Sequence, residues 1–86
     1  MEYELDCTKI TSLAELHEAL AALLSFPDYY GANFDALHDC LTDLNLTLRI
    51  TNWDALEEAL GIKRCITFKR VLQDSAEASE FKFVIE

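Results

Sequence analysis

Two hydrophobic periods take turns along the chain. Residues 2–6, EYELD, alternate polar and apolar and put Tyr3 and Leu5 on one side, which predicts an opening strand. Ser12 followed by Glu15 has the form of a capping box. Leu13, Leu16, Leu20, Leu23 and Leu24 then share one helical stripe, so a first helix is expected over 12–25, ended by Pro27. After a short loop, Asn33 is a suitable N-cap for a second helix reaching about Leu44, with Phe34, Leu37, Cys40, Leu41 and Leu44 as its apolar stripe. Residues 45–50, NLTLRI, return to the strand period. Thr51 or Asn52 is expected to cap a short helix from Trp53 to Leu60, which Gly61 stops. Lys63 to about Ala78 reads as a fourth helical region with a break near Cys65, and FKFVIE, 81–86, reads as a last strand. The order β-α-α-β-α-α-β predicts an α/β fold: a small, mainly parallel three-stranded sheet covered by about four helices.

A chain of 86 residues without linker, repeat or low-complexity tract fits a single domain over 1–86. At this size roughly 60–65 % of the unfolded surface is buried, enough for a modest core. An apolar content of 51 % agrees with a globular fold. No stretch has the length of a membrane span. The beginning, MEYELD, lacks the basic region of a signal peptide, so a cytoplasmic location is expected. Cys7, Cys40 and Cys65 are odd in number and widely spaced, which suits reduced thiols better than disulfides or zinc.

Charge changes the picture. The net charge is −9, and no lysine or arginine occurs between Ile10 and Leu48, a stretch that holds Glu15, Glu18, Asp28, Asp35, Asp39 and Asp43. A surface that binds nucleic acid needs the opposite sign, so a direct nucleic-acid partner is excluded and a basic partner is favoured. Lys63, Arg64, Lys69 and Arg70 gather in one later region, so one side of the protein is acidic and another mixed.

The sharpest feature is YYGANFDALHDCLTDL, residues 29–44. It sets Asp35, Asp39 and Asp43 four apart on one helix face, where each like-charge pair costs about 0.2–0.5 kcal/mol. Asp35 suits the positive end of the helix dipole; Asp43 sits at the end where an anion is disfavoured. A solvated helix face is the plain reading. Tyr29 and Tyr30 just before the helix argue for more, because exposed tyrosine combines apolar area with a hydroxyl and is common where proteins bind each other. One tyrosine is expected in the core, with Tyr29 outside, and Gly31 is expected to take a turn barred to side chains. Three chemistries could use the acidic face: catalysis by paired carboxylates, a metal held by Asp35, His38 and Asp39, or recognition of a cationic protein surface. Recognition suits carboxylates spread along one open helix best. No catalytic residue, cofactor or metal ligand is expected.

This segment, YYGANFDALHDCL followed by Thr42, resembles the signature of the barstar family, intracellular inhibitors of secreted bacterial ribonucleases. TSLAELHEAL leading into FPDYYG resembles the family's first helix and loop, and the element order is similar over essentially the whole chain. The resemblance implies an inhibitor, not an enzyme: an immunity-type protein that plugs the active site of a basic ribonuclease or ribonuclease-like toxin. The contact residues this resemblance implies are Tyr29, Asp35, His38, Asp39, Thr42 and Leu44, with Asp74 on the last helix; Asn33 and Asp43 are expected to belong to the same partner-binding surface. Asp39 would replace a substrate phosphate among basic side chains, with Asp35 supporting it. The family's inhibitor has tryptophan at the positions of His38 and Leu44 and glycine at that of Asp43. The alternative is therefore a barstar-fold interaction module whose basic partner is not a ribonuclease. A monomer is expected when no partner is bound.

Other residues read as structural: His17 half-buried beside the leucine stripe, Trp53 packing against the sheet or closing its edge, Phe68, Phe81 and Phe83 in the core, and Cys40 as a quiet core thiol.

Overall fold

The computed structural model describes all 86 residues. Strand β1 (Glu2–Asp6) leads through a 3₁₀ turn (Cys7–Lys9) to helix α1 (Leu13–Leu24) and helix α2 (Phe34–Thr42). Strand β2 (Thr47–Thr51) follows, then helices α3 (Trp53–Leu60) and α4 (Ile62–Ala78) and strand β3 (Lys82–Ile85). The strands pair in the order β1-β2-β3, all parallel, so each crossover carries a pair of helices. The predicted element order and small parallel sheet are those observed. No helix is long and apolar enough to cross a membrane.

The register explains how the sheet is used. Tyr3, Leu48 and Phe83 align across the strands, as do Leu5, Ile50 and Ile85, and all six join the hydrophobic core. Glu4, Arg49 and Val84 align on the opposite face, which the helices leave open. There the Arg49 guanidinium meets Glu86 at 2.5 Å, Glu2 at 3.5 Å and Glu4 at 3.6 Å. The expectation of a covered sheet therefore holds for one face only. Parallel strands buried on both faces are apolar throughout, whereas EYELD and TLRIT alternate as strands with one wet face must.

On the covered face, Leu16, Leu20 and Leu24 from α1, Leu37 and Leu41 from α2, Leu56 from α3 and Phe68 and Leu72 from α4 converge. α2 packs chiefly against α4. A chain of rings ties the layers together: Trp53 on Phe68 (5.8 Å between centroids), Phe68 on Phe34 (6.2 Å) and Phe34 on His17 (5.5 Å). Trp53 thus packs on α4 rather than closing the sheet edge. Phe68 and Phe81 are buried as expected, while Phe83 is half-buried.

Local chemistry refines several expectations. Ser12 caps α1 by accepting from the Glu15 amide, but the Glu15 carboxylate reaches the Thr11 amide at 2.7 Å rather than that of Ser12. Hydrogen bonds from Thr11 hold Glu15 below the usual carboxylate range. α1 stops before Pro27, at Ser25 in the left-handed region (φ 57°), and the Phe26 amide closes back on the Ala21 carbonyl. Asn52 precedes α3 with no side-chain cap; its amide instead donates to Asp6 at 3.0 Å, tying the ends of β1 and β2. α4 is continuous, because Cys65 lies on its buried stripe with Phe68, Leu72 and Ser75 and the break falls at Gly61 (φ 89°).

Candidate functional site

The loop between α1 and α2 and the outer side of α2 form the candidate site. The loop turns at Pro27, whose carbonyl accepts from the Tyr30 amide at 3.0 Å. Two adjacent tyrosines then go opposite ways. Tyr30 turns in: its ring lies 4.9 Å from that of Phe26, and its hydroxyl is 2.5 Å from Nδ1 of His17. Burial pushes the Tyr30 phenol up to about 12, so it stays protonated. Tyr29 turns out and is 85 % exposed. His17 is more deeply buried than its position beside the leucine stripe implies, at 3 % exposure, and burial lowers its pKa. It therefore underpins the loop, touching Tyr30 on one side and Phe34, the first residue of α2, on the other.

The start of α2 is fixed by Asn33. Its Oδ1 accepts from the Ala36 amide at 2.8 Å, and its Nδ2 donates to the Gly31 carbonyl at 3.3 Å. Both polar ends of this side chain are occupied by the cap, which makes Asn33 an organiser of the site. The positive φ expected at Gly31 falls on Ala32 (50°) instead. A Cβ at Gly31 would lie 3.2 Å from Asn33 Nδ2, so the capping side chain would have to give way slightly to admit one.

Along α2 the carboxylates form a ridge. Leu37 and Leu41 are fully buried, and at 100° per residue Asp39 points directly away from them. Its side chain is 88 % exposed, and the nearest ionisable side chain is the imidazole of His38, 3.9 Å away. Asp35 is exposed in the first turn, and Asp43 is exposed at the C-cap. No lysine or arginine of the chain pairs with any of the three. His38 is half-exposed on one flank with Thr42, whose hydroxyl donates to the Asp39 carbonyl at 2.9 Å and holds the last turn. Leu44 is half-buried against the core. Asp74 lies exposed on α4, the helix α2 packs against, and no hydrogen bond or ion pair joins it to the ridge.

Cys40 corrects an expectation. It is half-buried rather than a core thiol, because α2 packs through Leu37 and Leu41 and leaves position 40 on the flank toward α1. Burial, then the nearby Asp43 and Asp39, raise its pKa and keep the thiol protonated. On this flank the sequence reading missed a groove of about 230 Å³, floored by Leu24, Phe26, Cys40 and Leu44. Pro27 also lines it, and the exposed Tyr29, Asp39 and Asp43 stand at its rim. It joins the end of one helix and the loop after it to the end of the next helix, which no single stretch of periodicity displays. No group of three histidine, cysteine or acidic side chains is placed to hold a metal ion.

Fold and site define a small α/β protein that carries an open ridge of unpaired carboxylates on one helix beside an outward-facing tyrosine. The family described as Barstar (barnase inhibitor) matches residues 1–86, and the chain belongs to that family. It is 40 % identical over 87 residues to a Bacillus subtilis (strain 168) protein named "Putative ribonuclease inhibitor YrdF", covering 95 % of this chain and 94 % of that one. Family and relative bear out the resemblance drawn from residues 29–42, and they stand with inhibitors rather than enzymes.

Proposed function

We propose that this protein is an intracellular inhibitor of a basic ribonuclease or ribonuclease-like toxin, acting as a monomer from the cytoplasm. The α2 ridge and Tyr29 enter the nuclease active site. Asp39 takes the place of a substrate phosphate among the enzyme's cationic side chains, and Asp35 supports it. His38, Thr42 and Leu44 contact the partner along α2, Asn33 holds the loop in its binding shape, and Asp74 lies at the margin. Nothing is turned over: the inhibitor works by occupying the site with a rigid surface.

The observation that carries this reading is Asp39, a carboxylate aimed straight away from the core with no cation of its own chain beside it. Such a group contributes little to the folded monomer and has much to offer a cationic site. The test is a pull-down with wild type and Asp39→Ala side by side, assaying the eluates for ribonuclease before and after denaturing the bait. A latent ribonuclease captured by the wild type alone supports the reading. Equal capture by both proteins overturns it. Capture of a basic protein without nuclease activity, lost in Asp39→Ala, transfers the same surface to the interaction-module alternative. Asp43, and His38 and Leu44 in place of the family's tryptophans, favour that second reading, because they alter the contact with the prototype's partner.

A further inference from the structure

The groove on the α1 side of α2 has features that the ridge does not explain. Its volume of about 230 Å³ is below the roughly 300–1,000 Å³ of small-molecule sites, so it suits one side chain better than a cofactor. The floor is apolar where Leu24 is buried and Phe26 and Leu44 are half-buried, while Asp39 and Asp43 place two anions at the rim. An apolar bed ending in carboxylates matches a long side chain with a hydrocarbon stem and a cationic head. Tyr29, unstacked by any ring of its own chain, offers an aromatic face at the same rim. A planar guanidinium stacks flat on such a face while its fork holds a carboxylate; an ammonium is drawn to both but neither stacks nor binds bidentately.

Asp43 is costly where it stands. It faces Asp39 one turn back and meets the negative end of the helix dipole. No cation of the chain offsets it, since none lies within 4 Å. Nor does its carboxylate cap the helix, which ends through its backbone amide and that of Leu44 on the carbonyls of Cys40 and Leu41.

We infer that the groove receives one arginine side chain of the partner, its stem on Leu24, Phe26 and Leu44 and its guanidinium between Tyr29 and the Asp39–Asp43 pair. Asp43 is then a specificity residue that selects partners carrying an arginine at that place. This rests on the reading of α2 as the partner face, and it extends that face across the loop onto the end of α1.

The test is an NMR titration of the ¹⁵N-labelled protein with acetyl-Gly-Arg-Gly-amide, and with the same peptide carrying lysine or glutamine. The arginine peptide is expected to move the amides of Phe26, Tyr29 and Cys40–Leu44, the lysine peptide to bind more weakly and the glutamine peptide not at all. Asp43→Asn should weaken the arginine peptide about two- to fivefold, the span of a partly exposed ion pair. Unmoved amides of Leu48 and Ile50 establish that the variant is folded. Shifts confined to the Asp35–Asp39 ridge, or unchanged affinity in Asp43→Asn, overturn the groove. Equal affinity for lysine overturns the assignment to arginine, and no shift with any peptide overturns both. The two readings fail separately: a ribonuclease lost with Asp39→Ala while the peptide ignores the groove sinks this inference alone. Peptide in the groove with no ribonuclease captured sinks the proposed function alone.

Discussion

Asp39→Ala should stabilise the free protein while disabling it. In the free protein this aspartate has two like-charged neighbours four residues away, Asp35 and Asp43, and the imidazole of His38 at 3.9 Å. Removing two such repulsions returns about 0.4–1 kcal/mol. Replacing aspartate by the best helix former in mid-helix adds up to about 0.7 kcal/mol. Nothing is lost from the core, since the side chain is 88 % exposed. The sum is a gain of about 1 kcal/mol, or roughly 4–8 °C in Tm for a chain of this length. In the complex the sign reverses. Truncating one side of a desolvated charge pair costs about 2–5 kcal/mol, a range that the barnase–barstar pair itself helped to establish. That is roughly 30- to several-thousand-fold in Kd. Thermal unfolding by circular dichroism measures the first quantity, and titration of inhibition against the captured ribonuclease measures the second. A fall in Tm of several degrees would make Asp39 a structural residue, and unchanged inhibition would remove it from the interface. Either result refutes the argument.

Other substitutions probe the support beneath the site. His17 has a folded pKa below the ordinary value near 6.5, so the unfolded chain takes up the proton first. Stability present above about pH 6.5 is then lost as pH falls toward and through the lower folded value. His17→Gln should flatten that part of the pH profile in urea unfolding, and an unchanged profile would contradict the buried neutral imidazole. Phe68→Ala removes a fully buried ring stacked between Phe34 and Trp53, at a cost of about 3–5 kcal/mol; against a total near 5–15 it should leave the protein barely folded at 37 °C by circular dichroism. Ser75 is fully buried and its hydroxyl has no protein partner, so Ser75→Ala should raise the urea midpoint by about 1 kcal/mol in stability with the m-value unchanged; a lower midpoint would show the hydroxyl to be used.

The legible parts of the fold were those written in local chemistry. Ser12 and Asn33 cap the helices they precede because a cap needs only a side chain and an amide three residues on. The acidic ridge was equally plain, since helical spacing alone aligns Asp35, Asp39 and Asp43. Features that depend on distant segments were not. Asn52 looked like a cap, but its amide is drawn to Asp6, which strand pairing brings beside it from 46 residues away. The leucine stripe placed His17 near the core, but its bond to Tyr30 depends on how the loop folds back. Alternation in EYELD and TLRIT already recorded a sheet with one wet face; counting helices in pairs around strands obscured it. The groove lay out of reach because Leu24 and Phe26 come from the end of α1 and the loop after it, and Cys40 and Leu44 from the end of α2 and the residues after it.

The departures from the prototype point in one direction. Where the family's inhibitor carries tryptophan, this chain has a half-exposed histidine and a leucine half-buried in its own core, and it adds a carboxylate at Asp43. Two large aromatic contacts are thereby exchanged for charge. Aromatic contacts act mainly by holding a complex together once formed, whereas unpaired exposed charge acts mainly by steering the approach. Binding by this chain should accordingly depend more on ionic strength, because fields beyond about 8 Å are screened at physiological salt. The same exchange limits the partner. A cationic surface with an aromatic-lined slot for two tryptophans would meet too little apolar area here. A surface richer in arginine opposite α2 would meet a ridge and a groove that already lack their counter-charges. On the proposed reading, what makes α2 a poor helix in isolation is what would fit it to a particular class of basic site.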